Sequence, residues 1–281
     1  MNKSSKLKAQ SSKLIFIGGL IIASLILTAV FAPLIAPYDP KEQNLYEGLN
    51  PPDYNHLFGK DRLGRDILSR VIYGSRISLL VGITVVGVSS LIGIIVGSIS
   101  GYIGGKTDEI IMRLCDIVLA FPGILLAIAI MAVLGPNLNN VLIALCAIGW
   151  VGYARLIRGQ ILSLREREFV LAVDALGGSS SRIIIRHLLP NILSPIIVEA
   201  TFGMAVAITA EAGLSFLGLG VQPPQPSWGS MLNEGRQFLL IAPHLTVFPG
   251  LAIMLTVLSF NFLGDGIRDM MDVKNGRGER I

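Results

Sequence analysis

Apolar residues along the chain fall into long stretches that are separated by shorter polar intervals. Six of these stretches are poor enough in charge and long enough to cross a membrane, which takes a helix of about 20 mainly apolar residues. The predicted spans are residues 14–35, 77–99, 117–134, 138–153, 191–216 and 245–263. The pattern therefore predicts an all-α membrane protein with six transmembrane helices.

Local patterns predict how some of these spans pack. The uncharged run of residues 117–154 is too long for one span, and the turn residues at 135–137 divide it into a hairpin of two helices. In the second span, small residues recur every four positions at Ser89, Gly93, Gly97 and Gly101. Such a stripe predicts one helix face on which another helix packs closely.

Composition agrees with a membrane protein. Hydrophobic residues make up 52% of the chain and charged residues 15%, and the mean hydropathy is +0.66, which argues against a soluble domain. Cys115 and Cys146 lie in or beside apolar runs and indicate packing, with no disulfide framework.

The distribution of basic residues predicts the topology. An uncharged run of 22 residues follows Lys13, which is longer than the apolar core of a signal peptide, about 7 to 15 residues, and favours a retained anchor. With the N-terminus inside, 16 of the 23 Lys and Arg residues lie on the inner side, so both termini are expected in the cytoplasm. Residues 38–76 carry six basic residues on the outer side, against this rule.

The division expected from these spans has two parts. Residues 1–76 form an N-terminal tail, the first span and an extracytoplasmic segment. Residues 77–281 form a five-helix core.

The sequence predicts no catalytic, cofactor or metal site on this chain. The tripeptide at 105–107 ends like a phosphate-binding loop, but Ser100 stands where that loop needs glycine. The three histidines have no metal-ligand spacing with the cysteines, and no nucleophile turn is recognisable.

Two acidic residues lie within the fifth predicted span, where ionisable groups are costly. Glu199 and Glu211 are twelve residues apart, which on a helix is about 18 Å along the axis and about 120° around it, so they cannot form one carboxylate pair. Glu211 is compatible equally with a translocation path or with pairing to a neighbouring helix. For Glu199 we expect a structural hydrogen bond.

Residues 165–190, which we call the coupling interval, form a basic polar segment between the fourth and fifth spans. Apolar positions in residues 168–176 predict one helix, and Gly177 and Gly178 end it. A serine at 179–181 caps a second helix, which Pro190 is expected to end before the fifth span. From pattern alone, a helix pair lying on lipid headgroups remains an alternative.

The coupling interval resembles the EAA loop of permease subunits in bacterial ABC importers. Ala172, Gly177, Leu189 and Pro190 match that motif, whereas Leu171, Val173 and His187 depart from its usual glutamate, alanine and isoleucine. The resemblance implies a cytoplasmic pair of coupling helices that dock on an ATPase. The coupling residues expected here are Ala172, Gly177, Arg182, Arg186, His187, Leu189 and Pro190.

Further motifs resemble the C-type permease subunit of dipeptide, oligopeptide and nickel importers. They read HLFGKDRLGRD at 56–66, RLCDIVLAFPG at 113–123, LSFLGLGVQPPQPSWG at 214–229 and FLGDGIRD at 262–269. The simplest interpretation of the first is a set of turns and caps that fold the outer segment onto the spans. Trp228 suits a membrane interface, and Asp265 and Arg268 have the spacing of a local ion pair.

This resemblance implies a permease of the bacterial inner membrane that works by alternating access. It further implies a second, homologous permease subunit, two ATP-binding cassette subunits that carry ATP and Mg²⁺, an extracytoplasmic binding protein and a peptide substrate, with no nucleic acid. A nickel or metal-chelate importer is the alternative within the family. Outside it, a secondary transporter and a membrane scaffold subunit remain alternatives.

Overall fold

The computed structural model describes the backbone of residues 3–278 and the side chains of residues 11–271. The basic side chains of Lys3, Lys6, Lys8, Lys274, Arg277 and Arg280 lie outside the described side chains. The helices are α1 Lys3–Val30, α2 Ala32–Ile35, α3 Ile67–Ile103, α4 Gly105–Leu119, α5 Gly123–Leu134, α6 Leu138–Leu164, α7 Glu168–Ala175, α8 Ser180–Arg182, α9 Leu189–Phe216, α10 Trp228–Gly235 and α11 His244–Gly278. The described chain is thus all-α, with an isolated bridge between Lys60 and Asp66 as its β pairing.

Five of the helical segments are long and apolar enough to cross a membrane, and α4 with α5 forms a sixth, broken element. The prediction of one straight helix over residues 117–134 is wrong, because the chain bends by 83° between α4 and α5. Pro122 lies at this break and disfavours helical backbone in the residue before it. The 12 residues of α5 extend only about 18 Å, less than the hydrocarbon core.

The hairpin between α5 and α6 forms where the sequence predicts it. Gly135 ends α5 with a φ of 86°, and the Asn137 side chain caps α6 by accepting a hydrogen bond from the Asn139 backbone N–H at 3.0 Å. A left-handed glycine and an Asn cap are the chemistry such a turn needs.

The small-residue stripe of α3 packs against α6, as predicted. A Cβ atom added to Gly93 would lie 2.3 Å from the Tyr153 Cβ, and one added to Gly97 would lie 2.5 Å from the Ala154 carbonyl oxygen. At Gly101 the contact would be 3.0 Å from the Arg158 carbonyl oxygen. The two backbones therefore approach so closely that larger side chains do not fit.

The first and last helices pack antiparallel. Gly18 lies against Ser259 and Leu263, whereas Gly266 lies against Ser11 and Ile15 further back along α1. The start of α1 and the end of α11 are therefore at the same end of the bundle. The coupling interval is also at this end, since Met271 shares a cavity with Gln160 and Ser194, which flank that interval. We call this the coupling end.

Residues 36–66 and α10 cover the opposite end, which we call the cap end. The second span was expected to begin at residue 77, but α3 begins at Ile67, capped by Asp66, whose Oδ2 accepts from the Ser69 backbone N–H at 2.7 Å. The domain boundary expected after residue 76 thus lies inside a continuous helix. Asp66 is a strong capping residue, and Arg70, which follows it on α3, pairs with Asp61 and Glu234 in the cap end.

The HLFGKDRLGRD motif folds onto the spans through turns and ion pairs, as its simplest interpretation predicts. Gly59 and Gly64 have φ values of 77° and 73°. Asp61 accepts hydrogen bonds from the backbone N–H of Arg65 at 3.0 Å and from the Arg65 side chain at 2.6 Å. The Arg65 guanidinium also donates to Glu234 of α10 at 2.6 Å, which joins the segment to the rest of the cap end.

Trp228 is buried rather than placed at a membrane interface. Its side chain is 2% exposed, its indole N–H donates to the Val71 carbonyl oxygen at 2.9 Å, and it lies against Gly74. The expectation of an interfacial side chain is therefore wrong, because the missing side chain at Gly74 lets the indole ring pack on α3. Trp228 anchors α10 within the chain.

Candidate coupling surface and membrane cavities

The first helix of the coupling interval ends in a Schellman turn. Gly177 has a φ of 80°. Its N–H donates to the Asp174 carbonyl oxygen at 2.9 Å, and the Gly178 N–H donates to the Val173 carbonyl oxygen at 3.0 Å. This pair of bonds is the pattern that closes a helix over a left-handed C′ residue. The predicted stop is confirmed.

The second helix does not end at Pro190. From Ser180 the helix passes through a π-helical turn at Ile183–Leu188 and continues as α9, with Pro190 in the first turn of α9. The Leu189 N–H donates to the Ile184 carbonyl oxygen, five residues earlier, which is the hydrogen bond of a π-helix. This change from the α-helical pattern comes directly before Pro190, which has no N–H to donate. The second helix therefore continues into the fifth span, and the expectation that Pro190 ends it is wrong. Ser179 occupies the cap position without a side-chain cap bond.

The coupling interval packs on the bundle through one apolar face only. Val170, Ile183 and Leu188 are buried in a cluster with Ile157 and Ile161 of α6. The apolar positions of residues 168–176 that predict the first helix include Phe169 and Leu176, which the structure leaves exposed. The exposed large apolar side chains of the interval are Phe169 at 43%, Leu171 at 53%, Leu176 at 88% and Ile185 at 66%.

The predicted coupling residues share this surface to different degrees. Ala172, Gly177, Arg182, Arg186 and Pro190 are exposed, whereas His187 and Leu189 are half-buried. Within the described side chains, no ion pair involves Arg182 or Arg186. The surface thus combines exposed apolar side chains with two unpaired cations.

A set of polar bonds that the sequence did not reveal holds the coupling end to the neighbouring helices. Arg158 of α6 donates from Nη2 to the Asp108 carboxylate of α4 at 2.6 Å. Arg165 donates to the Gly101 carbonyl oxygen at 3.2 Å. The paired residues are 50 and 64 positions apart, so no local pattern could have indicated them.

One cavity of the bundle has a volume of about 770 Å³ and lies among α3, α5, α6, α9 and α11. Its wall is mainly apolar and includes Tyr153, Phe202 and Glu199. A second cavity of about 460 Å³ is lined by Gln160, Ser194 and Arg268 and shares Glu199 and Phe202 with the first.

The two membrane acids lie in different surroundings. Glu211 is fully buried and accepts a hydrogen bond from the Ser215 hydroxyl at 2.6 Å, and it lines neither of these two cavities. Glu199 lines both. The structural hydrogen bond expected for Glu199 is absent from its carboxyl within the described residues; only its backbone carbonyl accepts, from the Tyr153 hydroxyl at 3.5 Å.

Other candidate residues remain separate. Asp265 and Arg268 form no ion pair with each other in the described part of the chain, and Arg268 lines the smaller cavity. Within the same residues no group of three His, Cys, Asp or Glu side chains could hold a metal ion. Cys115 is buried and Cys146 half-buried, both as free thiols.

Comparisons with known proteins agree over nearly the whole chain. Residues 93–275 match the family of binding-protein-dependent transport system inner membrane components, and residues 10–52 match the N-terminal transmembrane domain of oligopeptide transport permease C. The dipeptide transport system permease protein DppC of Alkalihalophilus pseudofirmus is 49% identical over 265 residues, which cover 94% of this chain and 87% of that protein. The glutathione transport system permease protein GsiD of Escherichia coli is 49% identical over 256 residues, covering 91% and 84%.

A solved structure supports the fold independently. A chain of the MetNI methionine ABC transporter, in a structure with inward-facing conformations, aligns with a TM-score of 0.59 and 19% identity. The alignment covers 74% of this chain and 97% of that one.

Proposed function

Because this chain belongs to the family of binding-protein-dependent transport system inner membrane components, we propose that it is a permease subunit that imports dipeptides or other short peptides. Two of its relatives are named for dipeptide and glutathione transport, and both substrates are short peptides. The substrate carries charge, so it needs a path through the apolar bundle. The two joined cavities on α9 are the candidate path.

The observation that carries this proposal is the exposed surface of the coupling interval. It holds Leu176 and Ile185 in solvent while Arg182 and Arg186 lack an ion-pair partner among the described side chains. An apolar patch with unpaired cations at its rim is typical of a surface that another protein covers. An ATPase subunit with an apolar groove and acidic rim would fit this surface.

The work of import is divided between chains in this proposal. Two ATPase subunits bind ATP and Mg²⁺ and move the coupling interval, and a second, similar permease chain completes the path. A binding protein delivers the peptide at the cap end, while both termini and the coupling interval face the cytoplasm. The bundle then switches between two arrangements that different partner contacts favour.

Reconstitution in vesicles tests this function. The chain, a second permease subunit and the ATPase subunits are combined with a binding protein loaded with a labelled dipeptide. We expect uptake that requires ATP hydrolysis and every partner, and a non-hydrolysable ATP analogue serves as the control. Uptake that this chain alone performs with an ion gradient would indicate a secondary transporter, and assembly without any uptake would indicate a scaffold.

A further inference from the structure

Glu199 lies where the two cavities of the bundle meet. Both the apolar cavity of about 770 Å³ and the polar cavity of about 460 Å³ are lined by Glu199 and Phe202. Residues 199 and 202 are neighbours on one face of α9, since helical residues three apart lie side by side. The two cavities therefore adjoin at these two side chains.

The Glu199 carboxyl has no partner within the chain as far as it is described. No side chain donates a hydrogen bond to it and no cation pairs with it, whereas Glu211 on the same helix is bonded to Ser215. Glu199 is also ten residues inside α9, about 15 Å from its start. Glu199 is half-buried, and an ionisable side chain within a membrane-spanning helix that lacks a structural partner is a candidate for a solute path.

An opposite charge lines the same polar cavity. Arg268 of α11 forms no ion pair with Glu199 or with any other described side chain. Gln160 and Ser194 supply neutral hydrogen-bonding groups on the wall. One cavity is thus lined by a carboxyl group and by an exposed guanidinium that form no ion pair with each other.

Resting on the proposed function, we propose that Glu199 is a specificity-determining residue that binds the ammonium group of the peptide in transit, while Arg268 binds a carboxylate. Short peptides carry both groups, and the charge-assisted bonds would replace water at each end. The apolar cavity beyond Phe202 would receive the side chains of the peptide. A polar cavity of this volume is within the size range of small-ligand sites.

Transport of matched peptides tests this role. Vesicles with the complete transporter receive saturating binding protein preloaded with alanyl-alanine or with its N-acetyl derivative, so that the rate reports the step after delivery. We expect Glu199→Gln to lower the rate ratio of free over acetylated peptide about tenfold, because a charge-assisted bond is lost. Glu199→Asp should retain most of the ratio. The matched control is Glu109→Gln on α4, whose carboxyl is exposed and outside both cavities.

Arg268→Gln provides a second, independent variant. It should lower the ratio of alanyl-alanine over its C-terminal amide and leave the ratio of free over acetylated peptide unchanged. If Glu199→Gln fails to assemble, this variant still decides the outcome. Unchanged ratios in variants that transport would overturn the inference and leave the proposed function intact. A wild-type complex that moves no dipeptide at all would overturn both.

Discussion

The cap end and the coupling end treat their charged side chains in opposite ways. At the cap end, Arg65 is 1% exposed and is held between Asp61 and Glu234, both at 2.6 Å. At the coupling end, Arg182 and Arg186 are exposed and form no ion pair among the described side chains. The cap end thus holds Arg65 in ion pairs within the chain, whereas the coupling interval leaves Arg182 and Arg186 exposed.

Some apolar residues of the two ends differ in the same direction, although Tyr46 and Leu57 of the cap end are exposed as well. Phe58 of the cap end stacks on Phe248 of α11 with ring centroids 3.8 Å apart, and Trp228 is buried on α3. Leu176 and Ile185 of the coupling interval remain in solvent. The cap end thus has aromatic side chains that pack within the chain, whereas Leu176 and Ile185 leave an apolar surface at the coupling end.

The largest expected effect comes from removing the buried cation of the cap end. Arg65→Met removes the nearer guanidinium partner of Asp61 and Glu234 and leaves them only the longer contacts to Arg70, at 3.5 and 3.4 Å. The free energy of unfolding should fall by about 3 kcal/mol, because a buried ion pair is broken. The matched variant Arg186→Met removes an exposed, unpaired cation and should change the free energy of unfolding by less than about 0.5 kcal/mol. Thermal unfolding of both variants in detergent measures the difference, and equal losses would contradict the contrast between the two ends.

Reversing a charge at the coupling end should disturb energy coupling with little effect on stability. Arg186→Glu places an acid in the cationic surface, and we expect the peptide imported per ATP hydrolysed to fall about tenfold, since like-charge contacts at an interface cost several kcal/mol. Measuring uptake and ATP hydrolysis in the same vesicles gives this ratio. Glu109→Gln serves as the control, and a wild-type ratio in Arg186→Glu would refute the docking surface.

Gly177 and Gly159 both have room for a Cβ atom, but they differ in backbone conformation. Neither Gly177 nor Gly159 has an atom within 4 Å of an added Cβ, but Gly177 has a φ of 80° and Gly159 lies within α6. Gly177→Ala should therefore cost about 1 kcal/mol of stability, whereas Gly159→Ala should gain about 0.5–1 kcal/mol. Thermal unfolding in detergent compares them. A gain in both would show that the Schellman turn is not required.

The smallest expected effect is a pH dependence at the cap end. The hydrogen bond and charge of Lys60 lower the pKa of the exposed Glu47 carboxyl below its ordinary value of 4.5. The pair therefore stabilises the fold fully above that value, and its contribution is lost as the pH falls through the lowered pKa. Glu47→Gln should remove this part of the acid-induced loss of stability. A matching profile in wild type and variant, measured by unfolding between pH 6 and 3, would contradict it.

Local patterns were sufficient for much of the fold. The small residues at 89, 93, 97 and 101 predicted the face on which α6 packs, and Gly177 predicted the end of α7. Both rest on properties of single residues, namely the missing side chain and the left-handed backbone, which act wherever the sequence places them.

Other features were decided only when distant segments met. Pro190 was expected to break a helix, but a π-helical turn before it keeps the chain continuous. Trp228 was expected at an interface, but Gly74 on α3 opens a place for its ring. In each case the outcome depends on the space and the hydrogen-bonding partners around a residue, and local sequence does not specify these.

The sequence by itself determined that this chain is an all-α membrane protein with a polar coupling interval, because hydrophobic length, glycine positions and capping residues act locally. Only the tertiary structure decided that Glu199 rather than Glu211 lines the cavities, and that Arg65 and Arg158 are bound by acids far away in the chain. The energy of a charged group in a membrane protein depends on its partners, and partners are brought together by the packing of whole helices.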